Sequence, residues 1–177
     1  LEKQIIPQLI KGNGKLKIWS AGCSTGEEAY SLAIMCKERR ISLTEPILAS
    51  DIDNEVLEKA AMGIYSGKAA QSIPPAYLNK YFMPEGNYYR IKDNIAKMVS
   101  FQQQDLLKGS FGRGFDLILC RNVVIYFTEE SKVKLYRKFC DALHPGGVLF
   151  IGSTEQIFQA QELGLQSIAT FFYQKMQ

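Results

Sequence analysis

A chain of 177 residues, 46% hydrophobic and 22% charged, is long enough for one α/β domain with a sizeable core and has the composition of an ordinary soluble protein. Its net charge of +3 comes from scattered basic residues with no stripe interleaved by aromatics, which argues against a nucleic-acid partner. Four widely spaced cysteines and a single histidine match no familiar zinc pattern and predict free thiols with no metal, while the lack of a long apolar run, signal peptide or lipidation motif predicts a cytoplasmic location without membrane insertion.

The chain opens with a helix predicted over 2–11, followed by a strand over 15–20. Next comes the turn Gly22-Cys23-Ser24-Thr25-Gly26-Glu27-Glu28, which leads into an amphipathic helix through 29–35. A glycine-rich strand-to-helix turn is expected to expose backbone N–H groups, a natural place for a nucleotide-like ligand. Glu27 and Glu28 narrow the choice, since each would repel a pyrophosphate by roughly 1 kcal/mol in water and by more where shielded. The dinucleotide pattern G-x-G-x-x-G also fails, because Ser24 replaces its middle glycine. A ligand with positive centres and no phosphate fits better, and S-adenosylmethionine, with a sulfonium and an ammonium, is such a ligand.

A second short strand at 47–50 ends in Asp51-Ile52-Asp53, and a helix is predicted over 54–62. Asp51 falls 25 residues beyond Gly26, where the second strand of a βαβ unit presents an acid to ribose hydroxyls. Asp53 is better explained as a helix N-cap. The segment 66–97 then breaks the βα rhythm with Pro74-Pro75, a helical stretch at 77–82, a turn at 84–87 and an alternating run through Lys92. This pattern predicts a small antiparallel ribbon, separable from ligand binding, with two roles open: docking a partner or covering the sheet edge.

Core strands follow at 98–103 and 115–120, a helix over 128–143 with Thr128 as N-cap, a strand at 148–151, and a terminal hairpin of strands 165–169 and 170–175. Repeated βαβ units closed by a hairpin imply a mostly parallel sheet with one reversed strand. Cys120-Arg121-Asn122 follows the fourth strand, at the end of the sheet where ligands bind. On residue type, Arg121 and Asn122 can alternatively be a buried hydrogen-bonded pair that fixes the loop, Tyr126 favours core packing, and His144 reads as a helix C-cap.

Four segments together, Ile18 through Glu28, Ala49-Ser50-Asp51-Ile52-Asp53, Cys120 through Phe127 and Gly152-Ser153-Thr154-Glu155, resemble the CheR family of S-adenosylmethionine-dependent chemoreceptor glutamate methyltransferases. The resemblance spans nearly the whole chain, 1–177. It implies a class I methyltransferase (Rossmann-like) fold, a mostly parallel seven-stranded sheet with one antiparallel strand plus a small β-subdomain inserted at about 66–97. By position it implies that Glu28 binds the methionine ammonium, Asp51 the ribose, and Asp105-Leu106 the adenine, with Cys120-Arg121 flanking the methionine and sulfonium. Ala21, Gly22, Ile52 and Asn122 complete the implied cofactor site, and Tyr126 and Arg121 are the implied catalytic residues, which reverses the packing preference for Tyr126. Ala29 replaces a proline common in the family after the two glutamates, a harmless change near a helix start.

The implied partner of a monomeric enzyme is the cytoplasmic helical region of a methyl-accepting chemotaxis receptor, docked through the inserted subdomain. The products are a glutamyl methyl ester and S-adenosylhomocysteine. Family members also have an N-terminal helical domain and an arginine-bearing linker. Leu1 falls where that linker ends, so the chain reads as the C-terminal catalytic part of a longer protein. A non-catalytic S-adenosylmethionine or S-adenosylhomocysteine-binding signalling domain and a small-molecule methyltransferase remain as alternatives.

Overall fold

The computed structural model describes residue 1, residues 5–153 and residues 155–177. Glu2, the expected start of the first helix, and Thr154 of the fourth resembling segment lie outside the described residues. In chain order come helix α1 (Ile5–Asn13), strands β1 (Lys15–Leu16) and β2 (Ile18–Ala21), helix α2 (Glu27–Glu38), strands β3 (Ser42–Leu43) and β4 (Ile47–Asp51), and helix α3 (Asn54–Met62). Strand β5 (Ile64–Ser66), helices α4 (Gly67–Ala70) and α5 (Pro75–Tyr81), strands β6 (Phe82–Glu85) and β7 (Tyr88–Ile91) and helix α6 (Asp93–Ala96) follow. The remainder is β8 (Val99–Gln103), β9 (Phe115–Cys120), helix α7 (Glu129–Ala142), β10 (Leu143–Ile151), β11 (Leu165–Ala169) and β12 (Phe172–Lys175).

Seven strands form the main sheet in the order β8-β4-β2-β9-β10-β12-β11. Its pairs are parallel from β8 to β10, and β12 runs antiparallel to both β10 and β11. This is the expected α/β class with one reversed strand. The chain leaves β2 toward β4 and β8, then returns to the other side of β2 with β9 and β10. That reversal opens a crevice at the carboxyl ends of β2 and β9, the usual ligand position in such sheets.

The run expected as a single strand over 15–20 divides at Lys17. β1 pairs with β3, whereas β2 pairs with β4 and β9. The Lys17 N–H donates to the buried carboxylate of Asp116 at 2.8 Å, which fixes β2 against β9. Alternation along β2 then serves two cores. Ile18 joins Leu117 and Leu119 beneath α1 and α2, while Trp19 and Ala21 join Ile118 and Cys120 beneath α7. Each large apolar side chain so buried contributes roughly 1.5–3 kcal/mol. Trp19 is fully buried because its indole N–H reaches Ser50 Oγ at 2.8 Å, tying β2 to β4.

Local chemistry sets the element ends. Asp53 caps α3 by accepting from the Glu55 N–H at 2.8 Å, and Thr128 caps α7 by accepting from Ser131 N at 3.3 Å. The C-cap of α7 is Leu143, not His144, whose ring Nδ1 instead lies 2.7 Å from Pro145 O. The break in register between Leu143 and Val148 absorbs His144-Pro145-Gly146-Gly147. A side chain on Gly147 would put its Cβ 2.7 Å from Phe115 O, so glycine is needed at that close approach.

Between α3 and β8 lies a separate three-stranded antiparallel sheet, β5-β7-β6, accompanied by α4 and α5. Its first strand begins at Ile64, and β7 is its central strand. Asp93 and Asn94, just past the alternating run, open α6. No helix among the described residues is long and apolar enough to cross a membrane.

Candidate functional site

The glycine turn after β2 is built by backbone constraint. Gly22 has φ +80, and a Cβ there would sit 2.3 Å from Val123 Cγ2, so only glycine lets the Val123 loop close over the turn. Gly26, at φ +88, starts α2 without a side-chain cap. Four of the turn's N–H groups are not left exposed as its sequence suggests. Gly22 N and Cys23 N both donate to Ser50 O, at 2.7 and 2.9 Å, and Gly26 N donates to Cys23 O at 3.0 Å. Ser24 N donates to Asp51 Oδ2 at 2.8 Å. Three of the turn's donors hold it against β4, and a fourth closes the turn on itself.

A cleft of about 760 Å³ opens at the carboxyl ends of β2, β4, β8 and β9. Of the residues singled out from the sequence, it gathers Gly22, Glu28, Asp51, Ile52, Asp105, Leu106, Arg121, Asn122 and Tyr126 along its walls. Ala21 and Cys120 are not among them. Their side chains point into the α7-side core beneath the cleft, which leaves only their backbone to meet a ligand. Burial, with the charges of Glu155 and Glu28 adding to it, holds the Cys120 thiol well above its usual pKa, so it stays protonated.

At one end of the cleft, Glu28 Oε1 accepts from the fully buried Ser20 hydroxyl at 2.7 Å, and its Oε2 lies 3.4 Å from Arg121 Nη1. The Glu28 side chain is 23% exposed and that of Arg121 41%. The Arg121 guanidinium also lies 5.1 Å from the centroid of Phe150, which stacks on Phe172 at 4.2 Å. Arg121 and Asn122 are therefore exposed site residues and not the buried pair that residue type allows. Asn122 has φ +60, and its loop packs so near Gly152 that a Cβ there would lie 3.0 Å from Asn122 Oδ1 and 3.1 Å from Glu155 Cδ. Glu155 completes this support by accepting from the Gly152 N–H at 2.7 Å.

Farther along the cleft, Asp51 ends β4, with Oδ1 accepting from Asp53 N at 3.2 Å and Oδ2 from Ser24 N. Each carboxylate oxygen retains a lone pair for another donor. Asp105 accepts from the Leu107 N–H at 2.9 Å and faces Lys108 at 3.4 Å; these contacts, the N–H foremost, hold its carboxyl below the ordinary range. Ile52 is 62% exposed on one wall, and Tyr126, 82% exposed in a 3-10 turn, stands at the opening. That exposure corrects the packing role that residue type suggested for Tyr126.

Glu27, weighed in the sequence for its charge, also lines the cleft, together with Cys23, Gln104 and Lys108, which reasoning from sequence did not name as site residues. Gln104 and Lys108 were findable as neighbours of Asp105 at a strand end. Burial and the nearby Asp51 charge push the Cys23 thiol up to about 12, so it lines the wall as a neutral group. Four carboxylates and two cations face the space (Glu27, Glu28, Asp51 and Asp105 against Lys108 and Arg121), a balance that favours a cationic over an anionic ligand. The inserted sheet is tied to this site. Tyr65 of β5 donates its hydroxyl to Thr25 O at 3.0 Å, and burial, then Glu27, raises its pKa so that it remains a donor. This hydrogen bond joins the first strand of the inserted sheet to the glycine turn.

A family model described as "CheR methyltransferase, SAM binding domain" matches residues 1–171. A chemotaxis protein methyltransferase of Listeria innocua is 44% identical over 176 residues, covering 99% of this chain and 67% of that protein. One of Escherichia coli is 39% identical over 153 residues, covering 81% of this chain and 53% of that protein. Among solved structures, a TehB-like SAM-dependent methyltransferase from Corynebacterium glutamicum superposes with a TM-score of 0.55 at 16% identity, over 98% of this chain and 84% of that one. At that identity the structural likeness speaks for the fold alone.

Proposed function

The chain belongs to the CheR family of S-adenosylmethionine-dependent methyltransferases, and we propose that it methylates glutamate side-chain carboxylates of a bacterial chemoreceptor. The observation that carries this reading is the opposed pair Glu28 and Arg121 at one end of the cleft, with Asp51 farther along and Tyr126 at the opening. The names of its relatives, chemotaxis protein methyltransferases, support the choice of acceptor.

The lining fits S-adenosylmethionine. Glu28 receives an ammonium, Arg121 complements the carboxylate of the same amino-acid end, and Asp51 accepts from ribose hydroxyls. Asp105 and Leu106 border the base, Ile52 covers its face, and the backbone of Gly22 and Asn122 closes the middle. When bound, this cofactor supplies an electrophilic methyl group on a sulfonium. A glutamate side chain, with a reference pKa of roughly 4.3, arrives already ionised and needs no general base. What remains for the protein is to hold that carboxylate in place, a contribution worth up to roughly 7–11 kcal/mol in ideal cases. Tyr126 offers a hydroxyl donor at the opening and Arg121 a cation behind it. The β5-β7-β6 sheet, with Tyr88 and Met83 exposed, is the proposed receptor-docking face of a monomeric, cytoplasmic enzyme.

The test is transfer of a radiolabelled methyl group to base-labile product on receptor fragments, using the full-length protein that carries this domain. Label in the fragments supports the reading, and Tyr126→Phe should then lower the rate up to roughly a hundredfold while cofactor affinity stays within a few fold. Binding of S-adenosylhomocysteine without transfer would mark a sensor. Transfer only to small molecules would mark a different acceptor.

A further inference from the structure

One face of α2 carries Glu27, Tyr30, Ile34 and Glu38 at helical spacing, and this face looks onto the inserted unit. Between the two lies a cavity of about 340 Å³, walled on its far side by Tyr65 of β5, Ile73, Tyr77 of α5 and Phe82 of β6. Protein interiors are packed to crystal density, so a space of this size, within the range of small-molecule pockets, calls for an occupant.

Its polar lining is one-sided. The hydroxyls of Tyr30, Tyr65, Ser31 and Ser72 donate to the carbonyls of Ala60, Thr25, Glu27 and Ala69, at 2.9, 3.0, 2.7 and 2.9 Å. Their protons are committed to the backbone, so what they offer the cavity is lone pairs. The lining also holds two carboxylates and no lysine or arginine. Glu38 is matched by Lys80 at 2.7 Å and by the Tyr81 hydroxyl. Glu27 accepts from the Thr25 hydroxyl at 2.8 and 2.7 Å, and no cation among the described residues pairs with it. Its charge adds, after burial, to the rise in the Tyr65 pKa, which puts the carboxylate close to that ring. Tyr65 meets Tyr30 edge to face at 6.3 Å and Phe82 at 6.4 Å. Aromatic faces, lone pairs and an unmatched carboxylate all favour a positively charged donor.

We propose that this cavity is a second ligand site, distinct from the cofactor cleft, which takes a small organic cation: an ammonium directed at Glu27 on a compact apolar body held among the rings. Glu27 also borders the cofactor cleft, so the experiment keeps that cleft filled.

The probes are phenethylammonium and its neutral counterpart 2-phenylethanol, titrated with saturating S-adenosylhomocysteine present and followed by amide shifts in NMR spectra. The cation should shift the amides of Ile73 and Tyr77 and bind roughly threefold to tenfold tighter than the alcohol, since the Glu27 charge is partly screened by solvent. Glu27→Gln should bring the two affinities to within about twofold, and Tyr77→Ala should weaken the cation roughly threefold to tenfold. Tyr77 is 39% exposed, so its truncation leaves the fold in place. No shifts at Ile73 and Tyr77, equal affinities for the two probes in the parent, or unchanged binding of the cation by both variants would overturn the proposal while leaving the cofactor reading intact. Binding of the cation that S-adenosylhomocysteine abolishes would place it in the cofactor cleft and also overturn the proposal. A parent that does not bind S-adenosylhomocysteine overturns the cofactor reading instead, and the Ile73 and Tyr77 shifts then decide the second site alone.

Discussion

Replacing Glu28 with glutamine removes one charge from the cleft and little else. The Ser20 hydroxyl, fully buried and 2.7 Å from Glu28 Oε1, can donate to an amide oxygen as well as to a carboxylate. Glu28→Ala would instead strand that hydroxyl, at a cost of about 1–3 kcal/mol in stability, and confuse the readout. At about 4 Å, an ammonium and a carboxylate attract by roughly 4 kcal/mol at an effective dielectric of 20. With the Glu28 side chain still 23% exposed, solvent takes a share of that. The net worth of a charge-assisted hydrogen bond is about 1.5–3 kcal/mol, so calorimetry should find S-adenosylhomocysteine bound roughly tenfold to a hundredfold more weakly by Glu28→Gln. Methylthioadenosine, which lacks the amino-acid end, should bind parent and variant alike. Parent-like binding of S-adenosylhomocysteine, or an equal loss for both ligands, would refute the placement of the ammonium at Glu28.

Gly22→Ala should destabilise the fold by roughly 2–3 kcal/mol, read from the denaturation midpoint, because it combines φ +80 with a Cβ 2.3 Å from Val123 Cγ2. A parent-like midpoint would mean that the Val123 loop yields freely. Tyr65→Phe removes the hydrogen bond to Thr25 O and should lower the melting temperature by roughly 2–4 °C while weakening S-adenosylhomocysteine a few fold. No change in either would uncouple the inserted sheet from the glycine turn.

The elements that the sequence made legible are those whose signals are local. α3 and α7 carry their own caps, and β9 is a six-residue strand, apolar but for Asp116, with turn signals on both sides. The division of 15–20 at Lys17 was not legible, because it depends on Asp116, 99 positions away. The same limit governed the site. Residue type alone left a buried pair open for Arg121 and Asn122 and favoured packing for Tyr126, yet all three are exposed, since strand β9 ends at Cys120 and the chain turns outward there. Only resemblance across several segments put Tyr126 in the site.

The glycine turn shows how a motif's meaning depends on what its backbone already does. Read as a sequence, it promises free N–H groups and so an anion site, with two glutamates as the objection. In the fold, four of its N–H groups have internal partners: Ser50 O takes two, Asp51 one and Cys23 O one. Asp51 thereby has two tasks, clamping the turn and presenting lone pairs to the cleft, and both require its charge. The carboxylate that is expected to read the ribose is the same one that shapes the wall beside it. Preference for a phosphate-free cation therefore comes from two sources that agree, engaged donors and surplus negative charge, and removing a single carboxylate from the lining should not turn the cleft into a pyrophosphate site.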